Sequence, residues 1–112
     1  MQIVNQQLLF HDYFQDITGK SIMLEVNHWY HLVVVYTDSN VSLYVNGVVE
    51  THAASQINTT IGAGRIGASP DPKTNGFDKS FFHGIIDDIS VYNRALTELE
   101  ILNIYGEGGW GK

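Results

Sequence analysis

The sequence predicts an all-β fold, a sandwich or barrel of short strands with one short helix near the C-terminus. Three observations carry this. Short runs of β-branched and aromatic residues recur at roughly 8–12-residue spacing, turn-forming pairs separate them, and only the last stretch has helical start signals. The 112 residues make room for one domain, spanning 1–112, with enough chain to bury a core.

The strongest strand signal is Tyr30-His-Leu-Val-Val-Val-Tyr36. Consecutive valines suit a strand covered on both faces, because valine loses rotamer freedom in a helix and packs well on a pleated surface. Thr37-Asp-Ser-Asn40 is rich in turn formers and joins this strand to Val41-Ser-Leu-Tyr-Val45 in a hairpin. On the second strand Val41, Leu43 and Val45 share one face, with Ser42 and Tyr44 on the other. Asn46-Gly47 supplies the next tight turn, since both residues tolerate the positive φ of a type I′ turn. Val48 to His52 then returns as a further strand. Upstream, Gln2 to Phe10 and Ser21 to Val26 are predicted strands, joined by the polar segment from His11 to Lys20.

Ile61-Gly-Ala-Gly-Arg-Ile-Gly-Ala68 invites a phosphate-loop reading, but no strand-loop-helix context follows it and no Lys-Ser/Thr pair closes the run. A Gly-rich strand with bends is the expectation over 57–69. The stretch 69–79 holds both prolines and reads as a loop, and Phe81 to Tyr92 reads as strand. Thr97-Glu-Leu-Glu100 fits a capping box, so a two-turn helix is expected to start there and to end at Gly106.

Composition limits function. A net charge of −6 and six scattered basic residues, no two closer than six positions, exclude a phosphate-backbone site and disfavour an acidic membrane surface. With no cysteine, disulfides and thiolate metal sites are excluded. The opening residues do not read as a signal peptide, and no run approaches a membrane span. The chain is expected to be soluble, with a glycan or a protein surface as partner.

Catalytic patterns are weak. Glycoside hydrolysis by the usual route needs two carboxyl groups flanking a cleft. Glu98 and Glu100 sit at the helix start, while Asp87 and Asp88 are neighbours on an expected strand and so point to opposite faces. The five histidines read as sheet or surface residues, and no G-x-S-x-G elbow is present.

Three segments resemble the laminin-G-like jelly roll of the concanavalin A-like lectin/glucanase superfamily. They are Trp29-Tyr-His-Leu-Val-Val-Val-Tyr36, Leu43-Tyr-Val-Asn-Gly-Val48, and Phe82 to Ile101 with its Gly-Ile-Ile-Asp-Asp-Ile strand and Tyr-Asn-Arg-Ala-Leu link. The resemblance covers about Trp29 to Tyr105. It implies a jelly-roll sandwich of two antiparallel sheets and a non-catalytic recognition module, with carbohydrate as the ligand class and an extracellular or cell-surface setting. It also implies that leading strands of the family pattern are missing here, which would leave sheet edges uncovered and favour homo-oligomers. A self-associating interaction domain is therefore the alternative, and a glycan hydrolase is disfavoured.

The expected ligand-binding residues are Asp71, Asn75, Phe77 and Asp78 in the long loop, where an aromatic face and polar side chains suit a sugar. Trp29, opening the central strand, is expected in the core. Asp87 and Asp88 are the metal candidates, for calcium, a hard cation that takes carboxylate and carbonyl oxygens and that related domains hold.

Overall fold

The computed structural model describes residues 1–11, 15–57, 64–70, 73 and 78–108. The chain divides into two compact units, Met1–Ile57 with Tyr92–Lys112, and Asn58–Val91.

In the first unit β1 (Gln2–Val4), β2 (Gln7–His11) and β3 (Asp16–Thr18) form one antiparallel sheet in that order. The second sheet is β4 (Leu32–Thr37), β5 (Asn40–Val45) and β6 (Val48–Ala54), also antiparallel and in chain order. Both hairpins of the second sheet turn where the sequence places them. Asp38 and Ser39 take φ 45° and 65°, and Asn46 and Gly47 take φ 52° and 81°, as type I′ turns require. A bulge between Leu43 and Tyr44 shifts the register against β6.

The period-two pattern of β5 builds a core on each of its faces. Val41, Leu43 and Val45 are buried with Leu8 and Ile17 of the first sheet and with Leu24, which stacks the two sheets face to face. Tyr44 points to the opposite face and is buried with Val35 and Ile101 of the helix α1 (Glu98–Glu107). The valines of β4 divide the same way: Val34 packs on the first cluster, and Val33 and Val35 belong to the second. The sandwich thus carries α1 as a third layer.

The helix starts on the predicted capping box. Thr97 Oγ1 accepts from Glu100 N at 3.2 Å, and Thr97 N donates to a Glu100 carboxylate oxygen at 2.8 Å. Arg94 grips that same carboxylate with two guanidinium bonds of 2.9 and 2.8 Å. The arginine first, and the cap second, hold the Glu100 carboxyl down to about 2. The Tyr-Asn-Arg-Ala-Leu link is thereby tied to the helix it introduces.

Several sequence expectations are corrected. Gln2 to Phe10 is a hairpin rather than one strand, because Asn5 and Gln6 turn at φ 50° and 64°. β3 forms inside the segment read as a connector. Ser21 to Val26 makes no strand: Glu50 takes the N–H groups of Ser21 and Ile22 at 3.0 and 3.1 Å, so neither joins a ladder there. The helix runs past Gly106 to Glu107, and Gly108 caps it by donating to the Ile104 carbonyl at 3.1 Å.

In the second unit β7 (Ser69–Pro70) and β8 (Asp78–Lys79) pair antiparallel, and Phe82 N donates to Gly67 O at 2.8 Å. Residues 58–63 of the expected Gly-rich strand lie outside the described residues, and 64–68 are not strand. Phe81 to Tyr92 is not strand either; Ile85, Ile89 and Val91 are exposed and unpaired in any sheet.

Candidate functional site

Asp71, Asn75 and Phe77 lie outside the described residues. Asp78 opens β8, opposite Pro70. Asp87 and Asp88 are both exposed and follow one another in irregular backbone instead of a strand. Asp88 sits at φ 51°, and its N–H donates to Asp87 Oδ1 at 2.8 Å. Two adjacent carboxylates, one engaged with backbone, fall short of the six to eight oxygens calcium takes. Among the described residues no group of three or more His, Asp or Glu side chains converges. The aspartate pair therefore does not fit a calcium site by itself.

The turn before β4 is better furnished. Tyr30 is half-buried against the main core, and its hydroxyl accepts the Glu25 N–H at 3.0 Å. That bond pins the start of the turn to the sandwich. Asn27 reverses the chain at φ 63°, a conformation asparagine tolerates better than most residues. His28 Nδ1 lies 3.0 Å from the Val26 carbonyl, to which it donates as N–H, and 3.8 Å from Glu25 Oε2. The expectation that Trp29 is core is corrected: it is 51 % exposed. Tyr30 instead takes the inward place, since successive side chains at the mouth of the strand face opposite ways. A large indole face, a carboxylate and an imidazole thus share one anchored turn. Such a set can stack on an apolar ring face and exchange hydrogen bonds with hydroxyls.

A second surface lies between the β5–β6 turn and α1. Tyr44, Gly47, Val48, Glu98, Leu99 and Leu102 line an open groove of about 390 Å³. Its walls are apolar, and burial, with the nearby Glu98 charge second, raises the Tyr44 phenol above its ordinary value. Behind it, His31 stacks on Tyr105 with ring centroids 6.0 Å apart. Burial lowers the pKa of His31, and its Nδ1 is buried without a hydrogen-bond partner. His31 backbone is paired to Asn46 through both N–H and C=O, at 3.0 and 2.8 Å. This histidine is a packing residue, as the sequence suggested for the histidines.

Sequence reasoning missed the Glu25–Trp29 turn by placing Trp29 inside. The available signal was the polar run Asn27-His28 just ahead of it, which marks a turn rather than a strand interior.

Two stacked antiparallel sheets with a terminal helix define a β-sandwich of the concanavalin A-like type. Residues 6–102 match Laminin_G_3, the concanavalin A-like lectin/glucanases superfamily, and the chain belongs to that family. No curated protein matches it. Among solved structures it is similar to an S-layer domain-containing protein (residues 221–444) from Clostridium thermocellum, at 28 % identity and a TM-score of 0.63. The match covers 81 % of this chain and 45 % of that one, so the chain spans less than half the length of its structural relative. No helix of the described residues is long and apolar enough to cross a membrane.

Proposed function

We propose that this binding module recognises carbohydrate, without cleaving it, through the Glu25–Trp29 turn. The observation that carries the reading is the half-exposed Trp29 on the turn that also bears Glu25 and His28 and that Tyr30 pins. An indole is among the best side chains for covering an apolar ring face, and rigid anchoring limits the entropy lost on binding. The net charge of −6 favours a neutral glycan over an anionic one. Of the carboxylates singled out in the sequence, Glu100 pairs with Arg94 and the helix cap and Asp87 accepts a backbone N–H, and neither belongs to this turn. The S-layer domain in the name of the structural relative supports a cell-surface setting.

The test is a glycan array probed in calcium and in EDTA, with wild-type protein and Trp29→Ala side by side. The proposal expects weak binding to a related set of neutral glycans, lost in the variant. Binding that survives Trp29→Ala would move the site elsewhere, and a blank array would remove carbohydrate from the account. Loss in EDTA alone would add a cation as a further requirement.

A further inference from the structure

The groove between the β5–β6 turn and α1 is built entirely within the first unit, from residues of one sheet face and one helix. Val49 is the register partner of Tyr44, so both stand on the face that carries α1. Val48 extends this strip to the tip of the turn, and Leu99 and Leu102 continue it on the helix. Val48, Val49, Leu99 and Leu102 are 60, 41, 65 and 49 % exposed, too open to serve as core. Ile101 is the buried residue of α1, and the two leucines lie beside it rather than under the helix. Aliphatic side chains scattered singly over a surface need no explanation, but four gathered in one groove mark a place where another molecule sits.

The groove also has an acidic end. Of its lining residues Glu98 alone is charged, and it is exposed in the first turn of α1. Burial first, and the Glu98 charge second, raise the Tyr44 phenol, so the field of the carboxylate reaches the groove floor. Among the described residues no basic side chain lines the groove.

These features select the occupant. A two-fold pairing of copies through the groove would set its acidic end against itself and join two chains that each carry −6. The same charge opposes an anionic lipid surface. A lysine side chain suits both parts of the groove. Its unbranched methylene stem lies along aliphatic walls while its ammonium stays at the wet rim beside a carboxylate. The volume of about 390 Å³ is at the small end of the roughly 300–1,000 Å³ of binding pockets, which suits a short stretch of side chains.

We propose that this groove docks an apolar peptide segment of a partner protein, with one lysine of that segment directed to Glu98. The proposal does not depend on the glycan reading.

Amide NMR spectra of the isotope-labelled 112-residue chain test it, titrated with the capped peptide acetyl-Leu-Ala-Lys-Leu-Ala-amide to millimolar concentration. Shifts are expected at Tyr44, Val48, Val49, Leu99 and Leu102. Glu98→Gln is expected to weaken binding about tenfold, the size of one charge-assisted contact. Leu99→Ala should weaken it about fivefold through lost apolar burial. Both positions are exposed, and unchanged peaks away from the groove verify that the variants are folded. The matched peptide with glutamine for lysine should bind as weakly to wild type as the lysine peptide does to Glu98→Gln. The proposal is overturned by an absence of shifts in the groove, or by equal affinity for the lysine and glutamine peptides. Binding of n-hexylammonium as tight as that of the peptide also overturns it, since the site would then take a free amine rather than a partner's segment.

Discussion

Replacing Ile101 with alanine tests whether α1 is a structural layer of the sandwich. Ile101 is fully buried between Tyr44 and Val35, where truncation leaves a cavity the rigid sheet cannot close. Large-to-alanine changes at such sites cost about 2–5 kcal/mol. The better helix propensity of alanine returns only about 0.4 kcal/mol, leaving a net loss of about 3 kcal/mol. For a domain near this size each kcal/mol shifts Tm by about 4–8 °C, so the melt moves down by about 12–24 °C. Leu99, two residues earlier on the same helix, is 65 % exposed, and Leu99→Ala is expected to cost about 0.5 kcal/mol or less. Paired thermal and urea melts read the contrast, with an unchanged m-value keeping the comparison two-state. Similar losses for the two variants would refute the placement of α1 on the outer face of the second sheet.

Two further predictions concern the helix cap and the β5–β6 turn. Glu100 has a carboxyl held at about 2 against an ordinary 4.5, so its contribution is whole above about 4.5 and is lost as pH falls toward 2. Melts between those limits should show wild type losing its advantage over Glu100→Gln as acid is added. A gap that stays constant with pH would contradict the Arg94–Glu100 pairing. Gly47→Ala places a Cβ 3.0 Å from Leu102 Cδ1 at φ 81°, and should cost about 1–2 kcal/mol from the backbone alone. A neutral result in a urea melt would contradict the left-handed conformation of Gly47 in that turn.

What the sequence made legible was whatever depends on neighbours in the chain. The β4–β5–β6 meander follows from alternation, from Asp38-Ser39 and from Asn46-Gly47. The start of α1 follows from a hydrogen-bond exchange between Thr97 and Glu100, three residues apart. The family followed from the same local segments. Errors fell where a distant group decided the local structure. Ser21 and Ile22 are kept out of a ladder by Glu50, nearly thirty residues away. Asn5-Gln6 reverses without glycine, which turn chemistry alone does not announce. Trp29 and Tyr30 are adjacent aromatics, and only packing against Leu24, Val41 and their neighbours selects Tyr30 for the inside. The candidate site was hidden for that reason. Its residues were ordinary in sequence and became a surface only once Trp29 faced outward.

The carbohydrate reading is tested most directly by isothermal titration of the best array glycan into wild type, Trp29→Ala and Trp29→Phe, with circular dichroism to show that all three are folded. The account predicts that alanine abolishes measurable binding and that phenylalanine, which keeps an aromatic face, retains part of it. Equal affinities in all three proteins would contradict a binding site on the Glu25–Trp29 turn.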